Sequence, residues 1–188
     1  MKRSRPNWRK RSSLKQKKLN RKSMENDVRS GVLTISDKGS VGERKDESGE
    51  IAVRMLVDEG FSVLKKEIVP DDIRKIADTL VRWVDEEGLS LILTSGGTGL
   101  SPRDVTPQAM PNVIDYEVPG IAEAMRAASL TKTPHAMLSR GIAGVRGSCM
   151  IINLPGSPGG VKDNLSVVLP ALKHGLSKLG GDPTDCAV

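Results

Sequence analysis

Leu89 to Pro107, LSLILTSGGTGLSPRDVTP, narrows the possible folds of this chain more than any other stretch. Leu89, Leu91, Ile92 and Leu93, with only Ser90 among them, read as a strand buried on both faces, as in a parallel sheet covered by helices. Whatever follows Leu93 then emerges at the carboxyl edge of the sheet, where open α/β folds bind ligands. Gly96, Gly97 and Gly99 let the backbone turn with unrestricted φ and come close to a ligand. Thr94, Ser95 and Thr98 add hydroxyls that can donate to anionic oxygens. The loop is expected to cradle an anion.

Two familiar phosphate loops are excluded here. The stretch lacks the Gly-Lys-Ser/Thr ending of a Walker A loop, and GGTGLS lacks the G-x-G-x-x-G register of the dinucleotide fold. Instead Asp104 stands beside Arg103, a short way beyond the last glycine. A carboxylate next to an anion cradle suits a magnesium-held phosphate, because Mg²⁺ is usually bound by one or two carboxylates plus substrate oxygens. The alternative is a tight strand-to-helix turn in which Asp104 only caps a helix opening near Thr106-Pro107. The residues of this stretch leave both readings open.

Composition sets the outer limits. The 188 residues suit one domain with a substantial core. Trp8, Phe61, Trp83 and Tyr116 are the whole aromatic set, so the core must be aliphatic, and base-stacking surfaces of the kind single-strand binders use are not available. The formal charge of +6 is unevenly placed: residues 1–22 hold 11 Lys and Arg and no acid, and the remaining 18 basic residues face 23 acidic ones. That basic start has too few apolar residues to fold alone, so residues 1–28 are expected to be a disordered extension. A nucleic-acid arm, or a translation start at Met24, are the other readings. Cys149 and Cys186 lack a CxxC partner, which suggests neither a disulfide framework nor a zinc site. No apolar run reaches membrane-spanning length and the N-terminus has no apolar signal region, so a cytoplasmic setting is expected.

Along the chain, Gly31 to Ile35 reads as a first strand ending in the polar pair Ser36-Asp37. Ser48 is the expected N-cap of a helix running to Glu59, and Ser62 to Val69 the next strand, at an edge because of its central lysines. Pro70-Asp71-Asp72 opens a helix whose inward stripe is Ile73, Ile76, Ala77, Leu80 and Val84, closed by Gly88. One of the two aspartates can simply be an N-cap; the other reading is a second carboxylate on the rim that bears Asp104. Short helices are expected from Thr106 and from Ile121 to Leu130, then an irregular stretch containing His135, Ser139 and Arg140. Ser139-Arg140 reads as an anion contact or a surface ion pair, and His135 as a structural or surface residue. Gly147 to Leu154 is expected to be one last strand, followed by a second glycine turn, NLPGSPGG. A long helix from Val161 to Leu179 then carries Leu165, Val168, Leu169, Leu172, Leu176 and Leu179 inward, with a kink at Pro170 and His174 as packing, before a tail from 182 to 188.

Taken together, TISD at 34–37, VPDD at 69–72, SGGTG with Arg103-Asp104 and Thr106-Pro107, LSR at 138–140 and NLPGSP at 153–158 resemble the MogA/MoaB-type molybdenum cofactor biosynthesis proteins. The resemblance covers about Ser30 to Gly180, and a domain of 29–181 is expected. It implies a three-layer α/β/α fold with a mainly parallel sheet, assembled as a homotrimer or in some relatives a hexamer. It also implies Mg²⁺- and ATP-dependent adenylylation of molybdopterin, a pterin dithiolene with a terminal phosphate, with release of pyrophosphate and hand-off to a downstream molybdenum-insertion protein. Residue by residue, Asp71 and Asp104 match the family's essential acids and the expected Mg²⁺ ligands. Thr94, Ser95, Gly96, Gly97, Thr98 and Gly99, with Asn153, Pro155, Gly156 and Ser157 and also Ser36 and Ser139, match its pterin- and phosphate-binding positions. Gln108 departs from the acid that relatives often carry there, and the basic extension lies outside the family pattern.

That chemistry agrees with the residues, since adenylyl transfer asks for alignment and charge neutralisation, and no Ser, Cys or His nucleophile. Two rival readings remain at this level. One is a non-catalytic molybdopterin carrier of the same fold, against which both aspartates weigh. The other is a nucleic-acid-binding protein using the basic arm, against which the acidic body and the scarcity of aromatics weigh.

Overall fold

A computed structural model describes residues 28–183. The basic segment, Met24, Trp8 and Cys186 lie outside them. The strands β1 (Arg29–Ile35), β2 (Ser62–Val69), β3 (Leu91–Ser95), β4 (Tyr116–Glu117), β5 (Ala143–Arg146) and β6 (Cys149–Leu154) form one sheet in the order β2-β1-β3-β6-β5-β4. The first four run parallel, while β5 is antiparallel to β6 and β4 to β5. The expected single strand from Gly147 is therefore a hairpin. Gly147 occupies its turn at φ +54, and the short strands β4 and β5 carried too little pattern to be seen beforehand.

The helices are α1 (Asp37–Ser40), α2 (Glu47–Asp58), α3 (Ile73–Asp85), α4 (Thr106–Ala109), α5 (Pro119–Leu130) and α6 (Pro158–Leu179). Alternation along the strands divides the core into two layers. Val32, Leu91, Leu93, Ile152 and Leu154 pack with Ala52, Leu56, Met125, Leu165 and Leu169 of α2, α5 and α6. Leu33, Ile35, Ile92 and Ile151 pack on the other face with Ile76, Leu80 and Trp83 of α3 and with Ala109 and Met110. The outcome is the expected three-layer sandwich with an aliphatic interior. Strand β2 lies at the edge, where Lys65 pairs with Glu87 at 2.7 Å and Glu67 with Arg82 at 3.1 Å.

Three local expectations change. The stripe of α3 is turned toward Trp83, which is fully buried against Gly31, and Ile73 is 38% exposed. The indole is the largest side chain on the helix, and burying it rotates the face. Asp46, not Ser48, caps α2: its Oδ1 accepts from the Gly49 amide, while Ser48 Oγ donates to the Gly156 carbonyl. His174 is exposed on α6 rather than packed. That helix runs on through Pro170.

Register positions the functional edge. Ile35 pairs with Val69, Thr34 with Ser95 and Ser95 with Leu154, so β1, β2, β3 and β6 end level. Four loops therefore leave the sheet side by side: Ser36-Asp37, Pro70-Asp71-Asp72, Gly96 to Gly99, and Pro155 to Ser157. The strand order reverses about β1, the switch point at which such sheets open a crevice.

Candidate functional site

The loop after β3 is built around two positive φ angles, +111 at Gly96 and +62 at Gly97. A Cβ on Gly96 would overlap the Ile35 carbonyl oxygen, and one on Gly97 would overlap Thr106 Oγ1. Only glycine lets the loop pass this close to β1 and α4. Thr106 Oγ1 donates to the Gly96 carbonyl at 2.8 Å and its amide to the Gly97 carbonyl at 3.1 Å, which ties the start of α4 to the turn. Gly99 has no such φ; its small size makes room for Asp104, whose Oδ2 would lie 2.9 Å from a Cβ there.

Two lobes of one cleft meet at this loop. The larger, about 710 Å³, is lined by Ser36, Arg44, Asp71, Gly96, Gly97 and Asp104 among others. The smaller, about 420 Å³, is lined by Thr98, Gly99, Arg126, His135, Ser139 and Asn164 among others. Gly97, Asp104, Gly156 and Ser157 border both, so a group held at that wall is reachable from either side. The N-terminus of the 22-residue α6 also opens here, with Ser157 as its N-cap. Its aligned peptide dipoles favour an anion.

The sequence-expected residues divide into those that face the cleft and those that support it. Ser36, Ser139 and Ser157 face it, and each hydroxyl oxygen accepts from a nearby amide, so its proton is free to be donated. Thr94 and Asn153 line neither lobe: both are buried, and Asn153 Nδ2 donates to Thr94 Oγ1 at 3.0 Å, stitching β3 to β6 behind the loop. Ser95 Oγ is likewise committed, donating to the Pro155 carbonyl at 3.0 Å. Asp72 is the N-cap of α3 and accepts from the Lys75 amide, which leaves Asp71 as the aspartate that lines the cleft.

The electrostatics at Asp71 are unusual for a rim residue. Burial pushes its carboxyl above the usual carboxylate range, an effect to which the charges of Asp37 and Asp104 add. Asp37 is shifted the other way, chiefly by its hydrogen bonds from Arg103. Among the described residues, no three His, Cys, Asp or Glu side chains converge as a complete metal cage. A cation at Asp71 and Asp104 would need oxygens from its ligand.

Arg140 matters in a way its neighbours did not reveal. It forms no ion pair among the described residues: its amide donates to the Thr98 carbonyl at 2.9 Å, Nε to the Gly99 carbonyl at 2.7 Å and Nη2 to the Asp104 carbonyl at 2.6 Å. One side chain thus clamps the whole turn. Asp37 was visible only as a polar residue at a strand end, and nothing local in the sequence shows that Arg103 reaches it.

Comparisons with known proteins show which family the chain belongs to. Residues 31–174 match the family described as a probable molybdopterin binding domain. The chain is 40% identical over 163 residues to gephyrin from Dictyostelium discoideum, covering 81% of this chain but only 23% of that protein. It is 38% identical over 154 residues to the molybdopterin adenylyltransferase of Helicobacter pylori strain J99, covering 81% of this chain and 88% of that enzyme. The crystal structure of the molybdopterin biosynthesis enzyme MoaB from Thermus thermophilus superposes with a TM-score of 0.78 at 52% identity, over 84% of this chain and 99% of that one. The chain belongs to the probable molybdopterin-binding domain family.

Proposed function

We propose that this chain is a molybdopterin adenylyltransferase of molybdenum cofactor biosynthesis. The observation that carries the reading is Asp104 on the wall shared by two lobes with Asp71 beside it in the larger one, in a chain similar over most of its length to a molybdopterin adenylyltransferase. A terminal phosphate oxygen of molybdopterin forms a bond to the α-phosphorus of ATP, the bond from that phosphorus to the β-bridging oxygen breaks, and pyrophosphate leaves with the electron pair. Two substrates entering from the two lobes meet where Gly97 and Asp104 border both.

The residues fit a magnesium ion. Asp71 Oδ1 lies against Gly97, Asp104 turns its carboxylate toward Gly99 with Oδ2 accepting from the Ser101 amide at 2.8 Å, and the charge gathered by Asp37, Asp71 and Asp104 exceeds what Arg103 neutralises. When bound, Mg²⁺ supplies charge neutralisation for the reacting phosphates. The protein's own part is orientation. Ser36, Ser157 and the α6 N-terminus donate toward phosphate oxygens, Ser139 and Asn164 offer polar contacts in the smaller lobe, and Arg140 holds the glycine turn in shape. The family resemblance supports a cytoplasmic homotrimer or hexamer that passes its product to a molybdenum-insertion protein. No helix among the described residues is long and apolar enough to cross a membrane.

The test is transfer of label from α-labelled ATP to molybdopterin. Magnesium-dependent transfer is expected in the wild type and is expected to vanish in Asp71→Ala and Asp104→Ala while molybdopterin still binds. Pterin binding without any transfer of label would make the protein a molybdopterin carrier instead.

A further inference from the structure

Asp37 lines neither lobe, yet its carboxylate joins three loops from three strands. Its Oδ1 accepts from the Asp71 amide at 3.0 Å, and its own amide donates to Asp71 Oδ2 at 2.9 Å. The two residues thus exchange amide-to-carboxylate bonds across the ends of β1 and β2. Arg103 closes the third side, with Nε 2.9 Å from Oδ2 and Nη2 2.8 Å from Oδ1 and 2.7 Å from Oδ2.

Two consequences follow from these contacts. The exchange commits Asp71 Oδ2 to Asp37, so Oδ1 is the oxygen left beside Gly97, 3.1 Å from where a Cβ on that glycine would stand. Arg103 is the peptide neighbour of Asp104, so its grip on Asp37 ties the Asp104 loop to the Asp71 loop. We propose that Asp37, held by Arg103, is a positioning residue for adenylyl transfer, fixing Asp71 and Asp104 relative to each other while touching neither substrate. The inference rests on the reaction proposed above.

Exposure separates this role from a structural one. The Arg103 and Asp37 side chains are 64% and 44% exposed, and ion pairs so open to water contribute little to stability. Partners that orient a carboxylate at a reacting centre, by contrast, typically cost about 10- to 100-fold in activity when removed. Activity should therefore fall while the fold stands.

The experiment compares wild type, Asp37→Ala, Asp37→Asn, Arg103→Ala and the double alanine variant. The readouts are kcat, molybdopterin affinity by fluorescence, thermal midpoint, and deuterium uptake at the Asp71 amide without substrates. For Asp37→Ala we expect kcat to fall about 10- to 100-fold, molybdopterin affinity and thermal midpoint to hold, and the Asp71 amide to exchange faster because its acceptor is gone. The double variant should be no worse than Asp37→Ala, since both side chains act through one joint. Asp37→Asn keeps an acceptor oxygen and should restore protection of the Asp71 amide and part of kcat. Wild-type kcat in Asp37→Ala would overturn the inference. So would a loss of kcat matched by equal losses of binding and thermal midpoint. A wild type that transfers no label would instead overturn the reaction scheme, and the uptake at Asp71 would still report whether the joint exists.

Discussion

Gly96→Ala probes the geometry of the cradle through two effects that can be measured apart. Gly96 has φ +111, where a side chain is strained, and its Cβ would also overlap the carbonyl oxygen of Ile35 at the end of the buried central strand β1. Gly42 offers the strain alone, with φ +79 and nothing within 4 Å of an added Cβ. Gly120, in the first turn of α5, offers neither. Strain at a left-handed position costs about 1–2 kcal/mol, which is the expectation for Gly42→Ala. Forcing an extra carbon into packed surroundings adds about 1–3 kcal/mol, and Ile35, buried and paired with Val69 of β2, has little room to step aside. Gly96→Ala should therefore cost about 3 kcal/mol or more, and Gly120→Ala should be neutral or stabilise by about 0.4–1 kcal/mol. In a domain of this size 1 kcal/mol moves the thermal midpoint by about 2–4 °C, so Gly96→Ala should melt about 6–12 °C below wild type. The assay is thermal and urea denaturation of the three variants side by side. If Gly96→Ala proved as stable as Gly42→Ala, the close passage of the loop over β1 would be wrong.

Three further outcomes are expected. Burial raises the Asp71 carboxyl, so the folded state holds its proton more tightly than the unfolded chain does. That contribution to stability is present below the unfolded pKa and is lost as pH rises through the raised folded value. Asp71→Asn should then be more stable than wild type at neutral pH, with the gap closing as pH falls to about 4, and should transfer no label; denaturation across that pH range decides it. Arg140→Lys leaves one ammonium where a fork spanned the Gly99 and Asp104 carbonyls, and should cost about 1–2 kcal/mol, with Arg140→Ala costing more. An Arg140→Ala melt equal to wild type would remove the clamp. Burial pushes the Cys149 thiol up to about 12, so in a Cys186→Ser background a thiol reagent at pH 8 should label Cys149 only once the protein unfolds.

Most of the architecture was legible because it is written in periodicity. The continuous apolar run at Leu91 to Leu93 announced a doubly covered strand, and β2 matched its expected bounds with its lysines at an open edge. Asp71 follows a strand end and Asp104 follows the glycine loop, but the residues alone left each open as a helix cap or a rim carboxylate, and only the family resemblance singled them out. What stayed hidden depends on pairs distant in the chain. Thr94 and Asn153 look like ligand contacts until the register of β3 with β6 turns them toward each other. Arg140 looks like a surface charge until the fold brings it under Gly99 and Asp104. The short strands β4 and β5 are defined by the partner they pair with, since two to four residues carry no period of their own.

The arrangement of charge explains why such a site is costly and why the fold tolerates it. Asp37 and Asp71 follow the ends of adjacent strands and Asp104 joins them from the loop beyond β3, with Arg103 as the cation on Asp37, and Asp71 bears both burial and its neighbours' repulsion. A cluster like this is least stable alone and most stable when a cation joins it. The backbone around it is positive in the opposite sense, from the glycine turn clamped by the Arg140 guanidinium and from the N-terminus of α6. An anionic substrate therefore meets attraction from the turn and the helix and repulsion from the carboxylates. A divalent cation held by these carboxylates would offset the repulsion, so the substrate and the ion are expected to bind cooperatively. On this reasoning ATP should bind the wild type more weakly without Mg²⁺ than it binds Asp71→Asn without Mg²⁺. The order should reverse when the ion is added, and titration calorimetry in the two conditions would show it. Equal ATP affinity of the two proteins without the ion would mean that Asp71 does not repel the substrate, and the electrostatic account of the cleft would fail.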